Sequence, residues 1–181
     1  MVINTVDNCA VDTIPDGDGP VEICTVPSGD YVYVTNWYGA SVTVIRTSDN
    51  TAIDTIELSE GANGICSLPS GEYLYAACRS RNELGSIYVI ETSGNSVVDT
   101  ITAGRVPFSL CAHPTGAYVY VTNRFSDNVY VIDTAENSVV DTIAAGISPD
   151  AISILQSGEY LYVCNSESND VNVVRTADNT T

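Results

Sequence analysis

Short apolar runs of alternating register, broken by Gly, Pro, Asn and Asp, fill this chain from end to end. The runs are rich in Val, Ile, Tyr and Thr, the residues that suit a pleated strand. No window carries the 3.6-residue period of a helix. In "VYVID", Val129, Val131 and Asp133 fall on one face and Tyr130 and Ile132 on the other, so both faces are largely apolar.

The runs repeat. A Ser/Thr-Gly turn followed by an aromatic strand occurs four times, as "PSGDYVYVTN" (Pro27–Asn36), "PSGEYLYAAC" (Pro69–Cys78), "PTGAYVYVTN" (Pro114–Asn123) and "QSGEYLYVCN" (Gln156–Asn165). The turn glycines Gly29, Gly71, Gly116 and Gly158 lie 42, 45 and 42 residues apart, and the extra three residues fall in "RSRNELGS" (Arg79–Ser86). The third unit shows the content of each: "PFSLCAH" (Pro107–His113), "YVYVTN" (Tyr118–Asn123), "NVYVIDT" (Asn128–Thr134) and "NSVVDTI" (Asn137–Ile143). Short turns between successive strands make each unit an antiparallel meander. A sheet apolar on both sides needs cover on both sides. With no helix to supply it, neighbouring units must stack face to face. The predicted fold is therefore all-β, a propeller of four four-stranded blades forming a single domain over 1–181, with repeats near 19–58, 62–103, 107–145 and 149–181. A β-solenoid has parallel and usually shorter rungs, which the hairpin turns argue against.

The ends predict how the ring closes. "VINTVDNCAVDTI" (Val2–Ile14) copies "VIRTSDNTAIDTI" (Val44–Ile56), the tail of a unit, and the last unit lacks its fourth strand. Residues 1–14, through Cys9, Val11 and Ile14, are expected to complete the last blade and leave no free edge. Val2–Thr5 and Val173–Thr176 are copies of one segment, so both cannot fill the same strand position. Self-closure as a monomer is the favoured expectation, because the intramolecular end has the higher effective concentration. A strand-swapped dimer or a head-to-tail assembly is the alternative.

The Tyr-Val-Thr-Asn strands, the preceding Pro-Ser-Gly turns and the "VYVIDT" strand resemble the YVTN repeats of archaeal and bacterial surface-layer and related propeller proteins. The resemblance covers nearly the whole chain, with departures at "YAAC" (Tyr75–Cys78) and "YVCN" (Tyr162–Asn165). It implies a propeller, commonly of more blades than four and often seven, and a place at the cell surface. It also implies a structural role in a surface layer or filament as one alternative, and lactonase or lyase chemistry as another.

Charge narrows the partners. The formal net charge is −17, and all six basic residues are arginine. Such a surface repels nucleic acid and anionic lipid and suits a salty medium. No stretch approaches the roughly 20 apolar residues that span a bilayer, so no membrane insertion is expected. The opening "MVINTVDNCA" lacks the basic start and apolar centre of a signal peptide.

In a meander, the loops after the second and fourth strands emerge together. That sorting puts Arg79, Arg81, Arg105 and Arg124 on one ring face with Trp37, Tyr38 and Phe125. Arginine and aromatic loops are the composition of a recognition surface, suited to a protein or glycan partner. Ion pairing of those arginines with Glu83, Asp127 and Glu167 is the plainer reading. Cys24, Cys66 and Cys111 each stand five residues before a turn glycine, which marks a small buried position facing the next blade. No four-ligand metal spacing occurs, and His113 is the only histidine. The acids of the "VDTI" strands (Asp12, Asp54, Asp99, Asp141) read as protection of the outer edge, and "PDGDG" (Pro15–Gly19) as a blade-junction turn. The expectation is a binding or assembly module with no catalytic residues, no metal and no cofactor.

Overall fold

A computed structural model describes residues 1–80 and 84–181. Every regular element among them is a strand. Blade 1 is β3 (Pro20–Thr25), β4 (Tyr31–Asn36), β5 (Ser41–Arg46) and β6 (Thr51–Glu57), numbered after two short N-terminal strands, β1 (Val2–Ile3) and β2 (Ala10–Asp12). Blade 2 is β7 (Gly61–Ser67), β8 (Tyr73–Arg79), β9 (Leu84–Glu91) and β10 (Ser96–Arg105). Blade 3 is β11 (Pro107–Ala112), β12 (Tyr118–Asn123), β13 (Asn128–Asp133) and β14 (Ser138–Ala144). Blade 4 has three strands, β15 (Pro149–Ile154), β16 (Tyr160–Asn165) and β17 (Asp170–Arg175). Each sheet is an antiparallel meander in chain order. The turn glycines Gly29, Gly71, Gly116 and Gly158 hold φ between +76° and +80°, where a side chain is disfavoured. Asn50, Asn95, Asn137 and Asn179 hold φ of +48° to +56° in the turn into the fourth strand, a conformation asparagine tolerates.

The blades stack through their inner strands, β3 beside β7, β7 beside β11 and β11 beside β15. Three apolar cores result, one per junction. Tyr33, Val42 and Val44 of blade 1 pack on Ile65, Leu74 and Ile90 of blade 2. Tyr75, Ile87 and Val89 repeat the arrangement against Leu110, Val119 and Ile132, and Tyr120, Val129 and Val131 against Ile152, Leu161 and Val174. Cys24, Cys66 and Cys111 pack in the same three cores, on the faces toward the following blade.

The repeated strand "YVYVTN" now has a physical reading, residue by residue. The hydroxyl of its second tyrosine crosses to an asparagine turn of the next blade: Tyr33 donates to Asn95 Oδ1 at 3.1 Å and Tyr75 to Asn137 Oδ1 at 2.7 Å. Its threonine ties two inner strands. Thr122 Oγ1 accepts from Ser109 N at 3.0 Å and donates to Asp150 O of blade 4 at 3.1 Å. Thr35 does the same between Glu22 N and Asn63 O. Its asparagine braces its own loop, with Asn36 Nδ2 donating to Ser41 Oγ and Thr43 Oγ1. Outer-strand acids also reach the next blade, since Asn95 Nδ2 donates to Asp54 at 3.0 Å and Asn179 Nδ2 to Asp141 at 2.7 Å. Their role is thus more specific than edge protection.

The expected ring closure is corrected. β2 pairs with β1, antiparallel, and the blade 4 sheet ends at β17. Cys9 and Val11 are exposed, and Ile14 is half-buried beside blade 1 rather than blade 4. The cause is proximity along the chain: a tight turn, closed by Asn4 N donating to Cys9 O at 2.9 Å, lets β1 take the strand that β17 would have to win across the molecule. The stack is therefore open, with the outer face of blade 1 only partly covered, by the N-terminal segment, and that of blade 4 exposed. No helix among the described residues is long and apolar enough to cross a membrane.

Two outcomes are expected from this packing. Thr122→Val leaves Ser109 N and Asp150 O without their side-chain partner and should cost about 1–3 kcal/mol in chemical denaturation. Cys164→Val, at the same repeat position on the uncovered side, should stay within about 0.5 kcal/mol. Burial raises the Glu22 carboxyl above its ordinary value, with the Ile65 N–H partly opposing the shift. The folded state therefore holds that proton more tightly than the unfolded chain, and this group's contribution to stability falls as pH climbs from the unfolded value through the folded one. Denaturation midpoints of Glu22→Gln should lose that component of the pH dependence and exceed those of the parent above the window.

Candidate functional site

In blades 1, 3 and 4 the loop between the second and third strands is tied to the junction leading into its own blade. Trp37 N donates to Gly19 O and Tyr38 N to Asp18 O. Arg124 N donates to Val106 O and Phe125 N to Arg105 O. Ser166 N donates to Ser148 O. The "PDGDG" segment is thus a junction turn, as its glycines suggest. These ties hold the loops on one side of the stack, against rigid strand ends.

Of the residues expected on this face, Trp37, Tyr38 and Arg79 meet in one cleft. The cleft is about 440 Å³, lies between blades 1 and 2, and is also lined by Ser59, Glu60 and Gly61. The Arg79 guanidinium sits over the Trp37 ring, 5.1 Å from its centroid. Repeat register explains the pairing, because Trp37 and Arg79 occupy the same position after the second strand of consecutive blades. Gly61 is required beneath the indole: a Cβ there would lie 2.6 Å from the Trp37 carbonyl oxygen and 3.1 Å from its ring. Among the described residues, Arg79 Nε and Glu60 Oε2 are buried and have no hydrogen-bond partner. Burial raises the Glu60 carboxyl above its ordinary value, and a hydrogen bond with Ser86 partly opposes this. Ser59 Oγ and the Tyr88 hydroxyl are 2.5 Å apart beside it. Glu60 is the residue that the sequence reading missed.

Arg105, at the end of β10 in blade 2, lies with Arg124 and Phe125 of blade 3 in a separate group. Arg124 is committed to structure: Nε lies 2.9 Å from Asp150 Oδ1 on β15, as an ion pair rather than an aligned hydrogen bond, and its guanidinium is 5.5 Å from the Phe108 ring centroid. Its partner is Asp150, not the Asp127 or Glu167 expected from the loops. Arg105 and Phe125 are exposed. Arg81 lies outside the described residues.

Inner strands of blades 1 to 3 line a hollow of about 670 Å³ that includes Cys24, Cys66 and Cys111. Burial, reinforced by the Glu22 carboxylate, pushes the Cys24 thiol up to about 12. Burial alone pushes Cys111 up to about 12, and Cys66 rises further in the same direction. Thiols held this way are poor nucleophiles and poor metal ligands. His113, on the opposite face, has Nδ1 2.7 Å from Thr115 Oγ1 and packs edge-on to Tyr118, which is turn structure.

The sequence matches the Lactonase, 7-bladed beta-propeller family over residues 4–140 and 110–181. The chain belongs to that family. A search of curated proteins found no match. Among solved structures, a hydrazine synthase from Kuenenia stuttgartiensis superposes with a TM-score of 0.84 at 21% identity, covering 94% of this chain and 49% of that one. A functionally unknown protein from Desulfotomaculum acetoxidans DSM 771 gives 0.78 at 14% identity, covering 88% and 53%. At these identities the likeness is one of fold, and the chain spans about half the length of the structures it matches. The Lactonase family is described as seven-bladed, whereas the described residues form four sheets and a hairpin. The expectation of a protein without enzymatic chemistry is overturned by this membership, since the family's description is that of an enzyme. The YVTN-type repeat pointed correctly to a propeller, while the family shown is the Lactonase one rather than a surface-layer family.

Trp37 is the only tryptophan and so reports on the cleft alone. Gly61→Ala should displace the indole and shift its emission to the red. Acid titration of that emission should show a midpoint above glutamate's ordinary 4.5, absent in Glu60→Gln.

Proposed function

We propose that the loop face of blades 1 and 2 is a glycan-recognition site centred on the Trp37–Arg79–Glu60 cleft. The observation that carries this reading is a pair of buried, unpartnered polar atoms, Arg79 Nε and Glu60 Oε2, in one cleft with an exposed tyrosine. A donor and an acceptor lining one cleft suit the hydroxyls of a sugar, and Tyr38 offers an aromatic face to its apolar side. The net charge of −17 favours a neutral glycan over an acidic one. Titration of a neutral oligosaccharide panel, read by Trp37 emission, should give a saturable response. Arg79→Ala should weaken it more than about tenfold, the worth of one lost hydrogen bond to a charged group. No saturable response from any member would defeat this reading.

Family membership favours a second reading, hydrolysis of a lactone bound in the same cleft. The Glu60 carboxylate would take a proton from water as the water attacks the lactone carbonyl carbon. Arg79 would hold the oxygen that becomes negative, and as the ring C–O bond breaks the leaving oxygen would take the proton back from Glu60 to give the hydroxy acid. Burial of Glu60 raises its pKa toward the range of a working base, so the rate should rise with pH through that raised value. Proton release from an aldonolactone at constant pH should exceed the spontaneous rate and return to it in Glu60→Gln. Saturable binding without proton release would exclude the hydrolytic reading and leave the glycan one standing.

A further inference from the structure

The outer faces of blades 1 and 4 are the two halves of an interface this chain already makes three times, and we propose that each meets the other in a second copy of the chain. In each internal junction the leading blade contributes a tyrosine and two β-branched residues. Tyr33, Tyr75 and Tyr120 are at most 1% exposed there, whereas Tyr162, at the same repeat position in blade 4, is 38% exposed. Val42, Ile87 and Val129 are likewise at most 1% exposed, against 53% for Val171. Val173 stands where Val44, Val89 and Val131 are buried, and it too is exposed. Blade 4 thus presents a complete leading face with nothing on it.

Blade 1 presents the matching receiving face. Ile65, Leu110 and Ile152 are no more than 9% exposed in the three junctions, and their counterpart Ile23 is 62% exposed. Val32, Val34 and Ile45 stand where Leu74, Ala76 and Ile90 receive blade 1 in the first junction, and Val34 and Ile45 are already only 6% exposed beside the N-terminal segment. Together with Ile23 and Asn50 they line a cavity of about 570 Å³. Asn50 matches Asn95 and Asn137, the asparagines that accept from Tyr33 and Tyr75. This face therefore carries the apolar socket and also the polar acceptor for a tyrosine hydroxyl, with only the short N-terminal segment against it.

These correspondences name the occupant. Blade 4 of one copy docks on blade 1 of the other, Tyr162 donates to Asn50 of the second copy, and the reciprocal contact closes an eight-bladed ring with two-fold symmetry. Val2 lines the same cavity and is the repeat counterpart of Val173. The two-residue β1 is a placeholder, and the six-residue β17 of the second copy displaces it to pair with β2, which then serves as the missing fourth strand. A charge of −17 on each chain opposes the pairing at low salt and is screened at about 1 M, where the Debye length is about 3 Å.

Sedimentation velocity of the intact chain tests this. A two-chain particle is expected at about 1 M salt, loosening as salt falls. Ile23→Asp and Val171→Asp replace residues already exposed in the single chain, so both should retain the parent's far-ultraviolet dichroism and both should sediment as single chains. Tyr162→Phe removes the hydroxyl from both contacts of the ring and should raise the dissociation constant more than about tenfold, two hydrogen bonds at about 1 kcal/mol each. A single chain at about 1 M salt and high concentration, a filament or larger oligomer, or pairing unaffected by either aspartate overturns the proposal.

Discussion

No blade of this protein can shield itself. Each sheet is apolar on two sides, and the described residues supply no helix to lie against either, so the cover is another sheet. That constraint orders everything else. It accounts for the three separate cores rather than one, and for the burial on both faces of Leu74–Cys78 and Ile87–Ile90 in the middle strands of blade 2. It accounts equally for the one-sided burial of β16, where Leu161 and Val163 are buried and Tyr160, Tyr162 and Cys164 are not.

Directional bonds then set the register that apolar contact alone would leave loose. A flat greasy face can slide; a tyrosine that must reach one asparagine and a threonine that must reach one carbonyl cannot. Because these groups sit in a single strand, one short segment carries both the adhesive and the alignment for a junction. Blade 2 has Ala77 in place of the threonine, and its junction to blade 3 rests on Tyr75 and Asn137 together with Asn63, which donates to Pro107 O. The same rigidity fixes the loop face. Trp37 and Arg79 are brought together by equal position in adjacent blades, and the junction glycine Gly61 makes room for them.

Much of this was legible before any coordinates, and the residues show why. Alternation and turn glycines are local signals, so the strands, the meanders and the facing cysteines could be read directly. Grouping of loops by strand parity correctly united Trp37, Tyr38 and Arg79. Glu60 was not legible, because its significance comes from lining one cleft with Trp37 and Arg79 of two different blades, which no local pattern records. Arg124 looked like a recognition residue and is held by Asp150, a residue 26 positions away on the next inner strand. The N-terminal segment was misplaced for another reason. Val2–Thr5 and Val173–Thr176 hold the same position in the repeat, and only chain connectivity decides which of them β2 meets.

Tyr33 and Asn95, like Tyr75 and Asn137, are separated by 62 residues, and each such clasp refers only to the immediate neighbour. Nothing in a junction records how many junctions precede it. Duplication or loss of a whole unit would therefore leave every remaining contact intact, and the number of units is free to drift by recombination while the seam between them is preserved.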